Sequence, residues 1–354
     1  MSTSSNKEDF DISLEKAAKA VADADVLFVV TGAGFSADSG LAVYNDVAKV
    51  EAYQLRMLEY SDVCQPKWLE KEPALFYGFW GQCFNDYRNT QPHFGYDILA
   101  KWRSDKLDSD ISKSIKAKVR HKATIRRSFE EEETVKLTPY IVEEVAAGCF
   151  FTYTSNADAH FYDFFPAQEI HDCHGNVELW QCSDRECESG IWRAPLDHTF
   201  HVDCETMLAP ETLAESAEVG RTDDKEANDD PDATARIGHT KGKGDRNNRL
   251  KHMPPGVDQD GWATLPSQSG NWPRCGHCGA LARPAILMFG DFGWKYDMAQ
   301  NTRWELWRES VMDLIEKTWK HTDNNPVKVC ILEWDVDCAW RRAATWPKPC
   351  WKMC

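Results

Sequence analysis

The sequence predicts an α/β fold: a doubly wound parallel sheet with a smaller module inserted between its halves. Three observations carry this. Val26-Leu27-Phe28-Val29-Val30 is a β-branched and aromatic run closed by Gly32-Ala33-Gly34, which reads as a buried parallel strand emptying into a tight turn. Runs of the same kind return at Cys149–Thr154, Ala285–Phe289 and Val327–Leu332, with stretches of helical period among them. Between the second and third runs, Cys275-Gly276-His277-Cys278-Gly279 has the shape of a zinc knuckle, two thiolates on a tight turn with the bite a tetrahedral metal requires.

Taken in order, residues 1–10 are polar and read as a disordered tail. From Asp11, a good N-cap, Leu14, Ala17, Ala18, Val21 and Ala22 recur at helical spacing and feed the first strand. In the turn after it, Ser36 and Ser39 are placed to cap the following helix. Asp62–Arg88 carries Trp68, Leu69, Leu75, Phe76, Phe79, Trp80, Phe84 and Tyr87, enough apolar surface for a helical core. Lys101–Glu133 begins basic and ends in Glu130-Glu131-Glu132-Glu133, so it reads as a solvated helical excursion whose acid run cancels most of the field of Lys113–Arg127. The segment around 205–270 has Asp223-Asp224, Asp229-Asp230, Asn247-Asn248 and Pro254-Pro255, with hardly a bulky apolar residue before Trp262. Such a composition cannot offset chain entropy by burial and predicts a disordered insert. Beyond the third run, Trp304, Trp307, Val311, Leu314 and Ile315 fit one helix face.

The 354 residues carry a formal net charge of -16, which argues against direct nucleic-acid binding, because phosphate contacts need a basic face. No signal peptide and no apolar run of about 18 residues is visible, which predicts a soluble intracellular protein, cytoplasmic or nuclear, that does not enter membranes. Thirteen cysteines then read as thiols, metal ligands or packed core.

Five stretches stand in a fixed order: Thr31-Gly32-Ala33-Gly34-Phe35-Ser36-Ala37-Asp38-Ser39-Gly40, Thr154-Ser155-Asn156-Ala157-Asp158-Ala159-His160, His174-Gly175-Asn176-Val177, Cys182 and Cys187 with Cys275 and Cys278, and Arg283-Pro284 followed by Phe289-Gly290-Asp291. Together they resemble the sirtuin family of NAD-dependent protein deacylases, over about Ile12 to Trp294. The resemblance implies a Rossmann-like NAD-binding domain over 11–175 and 283–354 and a zinc module over 176–282, acting on acylated protein lysines. It implies that Gly32, Ala33, Gly34, Ser36, Tyr44, Ser155, Asn156, Ala157 and Asp158 hold the cofactor, Asn156 at the ribose and Asp158 at the nicotinamide carboxamide. His174 would act as general base, a role an imidazole fills near neutral pH without a large pKa shift. His171, three residues earlier, is its rival. Phe289, Gly290 and Asp291 would form a strand edge that pairs with substrate peptide, and the helices of 62–88 a lid beside the cofactor.

One structural zinc is expected on Cys182, Cys187, Cys275 and Cys278, with Cys173 and Cys204 as substitutes. A four-thiolate site has no open position, so this metal would hold the module together and perform no chemistry. The chain departs from the family pattern in two places. Where the family continues Ile-Pro-Asp-Phe-Arg, this chain has Leu41-Ala42-Val43-Tyr44-Asn45, losing an acid and an arginine at the nicotinamide end. Where the last strand should lead to Gly-Thr-Ser, Leu332 leads to Glu333-Trp334, and the final 21 residues hold four tryptophans and three cysteines without period, which reads as a truncated or frame-shifted end. These departures keep two alternatives open: NAD hydrolysis or mono-ADP-ribosyl transfer, and a degenerate NAD-binding module.

Overall fold

The computed structural model describes residues 3–42, 46–130, 146–195, 197–212, 270–321, 326–334 and 352–353. The first strand, β1 (Val26–Thr31), is central and buried along its whole length. It pairs in parallel with β2 (Phe150–Thr154), which pairs with β3 (Ile170–Asp172). On its other side it pairs in parallel with β7 (Val329–Trp334), and β7 with the two-residue β8 (Lys352–Met353). The order β3-β2-β1-β7-β8 reverses direction at β1, as in doubly wound sheets, whose ligand crevice lies outside the carboxyl ends of the strands.

Alternation along β1 feeds two cores. Leu27 and Val29 pack with Val21 of α1 (Thr3–Asp23), with Tyr96 and Leu99 of α7 (Gly95–Lys106), and with Phe150 and Leu332. Val26, Phe28 and Val30 face α8 (Asp110–Glu130) and α9 (Met298–His321). On that side Trp304, Trp307, Val311, Leu314 and Ile315 are all buried, as their spacing predicts. Phe28 stacks on Trp304 at 5.1 Å and Phe151 on Trp307 at 4.8 Å.

Two helical expectations are corrected. α1 starts at Thr3, inside the expected tail, so the helix outruns its apolar pattern. α8 is more than a solvated excursion. Ile115, Val119 and Ala123 form a buried stripe against α9, and Lys122 and Arg126 pair with Glu305, Glu309 and Asp313 of that helix. Three apolar residues at i, i+4, i+8 were enough to seat it. The acid run beyond residue 130, the insert over 213–269 and the tail from 335 to 351 lie outside the described residues.

The inserted module is a small antiparallel sheet in the order β5-β4-β6, made of β4 (Leu179–Cys182), β5 (Trp192–Arg193) and β6 (Ala282–Pro284). The helices α3 (Glu51–Leu55), α4 (Tyr60–Val63), α5 (Lys67–Lys71) and α6 (Pro73–Asn89) share one core with it, where Phe76, Phe79, Trp80 and Phe84 meet Val177, Trp180, Phe200 and Met207. Gly78 sits in the middle of α6 because a Cβ there would lie 2.0 Å from the Met207 carbonyl oxygen. Arg88 closes the contact with a buried ion pair to Glu178 at 2.6 Å and hydrogen bonds to the Pro195 and His198 carbonyls. The edges of the expected insert are therefore structured. Met207 and Ala209 are buried, and the Asn271 and Trp272 side chains donate to the carbonyls of Pro210 and Ala209.

The third apolar run is corrected as well. Only Ala282–Pro284 is strand; residues 285–289 spend their backbone donors on separate parts of the chain, Ala285 on Leu179 of β4, Leu287 on His174 and Phe289 on Cys64. Among the described residues no helix is long and apolar enough to cross a membrane.

Candidate functional site

Three loops leave the carboxyl ends of β1, β2 and β3 and meet at one cavity of about 300 Å³. The first begins at Gly32, whose N–H donates to the Trp334 carbonyl at 2.9 Å. It opens the short α2 (Ala33–Ala37), which has no side-chain cap. Ser36 and Ser39 do something else. Ser36 Oγ donates to Asp158 Oδ2 at 2.5 Å, tying the first loop to the second, and Ser39 Oγ accepts from the His93 N–H. Ala33 and Ser36 reach the cavity wall; Gly32 and Gly34 shape the turn behind it. Tyr44, with Val43 and Asn45, lies outside the described residues.

The second loop is locked to the first strand by Ser155 N–H donating to the Thr31 carbonyl, and by a Thr31–Thr154 hydroxyl bond at 2.8 Å. Ser155, Asn156, Ala157 and Asp158 all line the cavity. Asp158 accepts from Ser36 through one oxygen and from the His160 N–H through the other. Asn156 is buried, yet among the described residues neither its Oδ1 nor its Nδ2 has a partner. A buried primary amide with both ends unmet is unfavourable by itself, and this one belongs to a residue of the cavity wall.

The third loop carries His174 to the rim, where it lines the cavity and keeps exposed surface. Partial desolvation holds its pKa below the usual histidine value, against a backbone hydrogen bond at Ser155 that raises it. The ring is therefore neutral at pH 7 and able to take a proton. Gly175 follows for two physical reasons: its φ is +73°, and a Cβ would lie 1.9 Å from the Ala285 carbonyl oxygen. His171, the rival, points into the core. It lies against Tyr153 at 4.6 Å and near Trp304, and burial pushes its pKa down to about 3. Asp172, which sequence reasoning passed over, is buried between Tyr162 Oη and Asn176 Nδ2, both donating to it at 2.8 Å. Burial pushes its carboxyl up to about 7. It braces the turn that presents His174; an acid two residues before a His-Gly pair was the only signal for it.

The far wall is apolar, formed by Tyr60 of α4, Phe79, Trp80, Cys83 and Tyr87 of α6, and Ile286–Phe289. The aromatic helices thus do stand beside the cavity, while belonging to the module's core. Phe289 is half exposed and meets Tyr60 edge-on at 5.9 Å. Phe289 and Gly290 form a turn where a strand edge was expected. Asp291 turns inward to a buried ion pair with Arg283 at 2.6 Å.

Cys182, Cys187, Cys275 and Cys278 converge: their four sulfurs lie within 4.8 Å of one another, with Cys182–Cys278 at 3.5 Å and Cys187–Cys275 at 3.8 Å. A tetrahedron of thiolates around zinc has sulfurs about 3.8 Å apart, so the cluster fits that ion. Cys173 lies by Tyr153 and Cys204 is exposed; neither belongs to the cluster. His277 Nδ1 sits 3.6 Å from Cys187 Sγ, beside the ligand set.

No family model matches this sequence, and no curated protein does. Solved structures do. The chain is similar to a Sir2 homologue bound to NAD, with 12% identity over 90% of this chain and 71% of that one and a TM-score of 0.36. It is similar to a Sir2 homologue mutant with 2′-O-acetyl-ADP-ribose, with 13% identity, coverage of 92% and 77% and a TM-score of 0.40. A Sir2–p53 peptide–NAD complex gives 13%, 90% and 74%, and 0.35.

Proposed function

We propose that this chain is a NAD-dependent protein-lysine deacylase of the sirtuin type. The observation that carries the reading is the convergence, on one cavity at the carboxyl ends of a doubly wound sheet, of an unpartnered buried amide (Asn156), a braced carboxylate (Asp158) and a neutral histidine (His174). Such a crevice is where open α/β sheets hold dinucleotides. Ala33, Ser36, Ser155, Asn156, Ala157 and Asp158 would hold the cofactor, with Asn156 pairing a ribose oxygen through Nδ2. NAD, when bound, supplies an activated glycosidic bond, so that NAD, acyl-lysine and water give nicotinamide, free lysine and O-acyl-ADP-ribose. The chain's part is to place and to deprotonate. His174 would take a proton from a ribose hydroxyl through a ring nitrogen, and the apolar wall of α6 would keep bulk water from the reacting carbon. One zinc on the four cysteines would be structural.

A second reading, NAD hydrolysis, is favoured by the turn at Phe289–Gly290, which stands where a strand edge for a peptide was expected. The test separates them: purified protein is given NAD with and without an acetyl-lysine peptide, nicotinamide and the ribose products are quantified, and His174→Ala is run alongside. Peptide-dependent nicotinamide and acetyl-ADP-ribose, falling about 10²–10⁴-fold in the variant, are expected. Free ADP-ribose without peptide would establish the hydrolase instead.

A further inference from the structure

The cysteine cluster is ringed by polar contacts. Ser189 Oγ lies 3.2 Å from Cys187 Sγ and 3.4 Å from Cys275 Sγ. A ligated sulfur carries no proton, so with a metal in place this hydroxyl is the donor to the sulfurs. Lys295 Nζ donates to the Cys187 carbonyl at 2.8 Å and to the Ser189 carbonyl at 2.5 Å. It thereby fixes the backbone just after a ligand, and it sets an ammonium beside four thiolates whose charge outweighs that of one divalent ion. Gln181, fully buried and next to Cys182, donates through Nε2 to the Gly293 carbonyl at 2.7 Å and accepts through Oε1 from the Lys295 N–H at 2.9 Å. The segment from Gly293 to Lys295 is fastened in this way to residues flanking two of the four cysteines.

The same segment follows the turn at the cavity rim. Phe289 lines the cavity, yet it is 51% exposed and Phe292 is 88% exposed, so little apolar burial holds this stretch in place. Its anchors are polar: the ion pair of Asp291 with Arg283, the Gly293 N–H donating to Asp291 Oδ1, the Trp294 indole N–H donating to the Ala285 carbonyl, and the contacts of Gln181 and Lys295. We propose that Ser189 and Lys295 are positioning residues of the metal site, Ser189 for its sulfurs and Lys295 for the loop that carries Cys187, and that through Lys295 the bound metal holds the cavity rim. The inference rests on the four cysteines holding one zinc ion. Groups that surround ligands in this way orient them and tune metal affinity. Lys295 does more than Ser189 because it belongs to the rim segment itself, so losing its contacts uncouples the rim from the metal.

The test uses the full chain. Zinc affinity is measured by competition with a chromophoric chelator, and hydrogen exchange over residues 289–295 is followed by mass spectrometry in zinc-saturated and chelator-treated protein. The wild type should hold about one zinc ion per chain, and removing it should speed exchange over 289–295 about tenfold. Lys295→Met keeps the aliphatic stem; it should weaken zinc binding about 10- to 100-fold and show the fast exchange even when saturated with zinc. Lys295→Arg, still able to donate to both carbonyls, should restore both properties. Ser189→Ala removes only the hydroxyl and leaves the carbonyl that Lys295 uses, so it should lose about tenfold in zinc affinity yet keep slow exchange at saturation. Should Lys295→Met not fold, the zinc dependence of exchange in the wild type and the affinity of Ser189→Ala decide. An unchanged zinc affinity in either variant, or wild-type exchange over 289–295 that ignores zinc, would overturn the inference with ligation intact. A wild type that takes up no zinc would overturn ligation and the inference together.

Discussion

β1 is six residues long and wholly buried, with a core on each face. β5, in the inserted module, is two residues long and half buried, and the core around the four cysteines contains little besides Cys182, Cys187, Cys275, Trp192 and Ala280. The sheet is held by area: each buried Val, Leu or Phe contributes roughly 1.5–3 kcal/mol. The module around its sulfurs has too little area for that, and a metal held by the four cysteines would take over. The site draws on both, since its loops come from the sheet and its apolar wall from α6, which packs on the module.

The largest way to break this contrast is Cys275→Ser. Metal content should fall from about one ion per chain towards none, and the module should lose on the order of 10 kcal/mol of metal-linked stability. Elemental analysis and protease sensitivity between Cys187 and Cys275 would report it; a fully protected, metal-free module would refute ligation as its support. Next comes Phe28→Ala in the sheet. The ring is fully buried and stacked on Trp304, so denaturant melts should show a loss of about 3–5 kcal/mol. The half-buried Trp192 should give a smaller loss when truncated to Ala, and an equal one would blur the distinction between the two regions.

His171 sharpens it through pH. Its native pKa of about 3 lies below the ordinary histidine value, so between those limits the unfolded chain binds a proton that the native core excludes. Its contribution is full above pH 6.5 and lost as pH falls towards 3, roughly 3 kcal/mol of it by pH 4. His171→Phe should remove that slope in melts run from pH 7 to pH 4; an unchanged slope would mean the imidazole is accessible. Asp172 runs the other way, its contribution present below the ordinary carboxylate range and lost as pH rises through about 7. The smallest effect belongs to Lys122→Ala. Its pairs with Glu309 and Asp313 are partly exposed, worth about 0.2–1 kcal/mol and weakened by salt.

Much of the site was legible because local chemistry writes it. The Gly-Ala-Gly turn, Asn156 and Asp158 after β2, and His174 before Gly175 are short motifs at strand ends, where a parallel sheet must place its ligand contacts. Other residues needed partners distant in sequence. Nothing near Asp291 announces Arg283, and Ser36 finds Asp158 across 122 positions.

The sequence by itself determined the parallel strands β1, β2 and β7, the order of the loops that meet at the cavity and the four cysteines that converge, because periodicity and ligand motifs are properties of neighbouring residues. Tertiary structure alone decided that α3–α6 belong with the module, that α8 is seated on α9, that Phe289–Gly290 turns away from a strand, and that His171 is core while His174 is rim. Those outcomes depend on which buried groups find partners and which do not, and burial is a property of the folded whole.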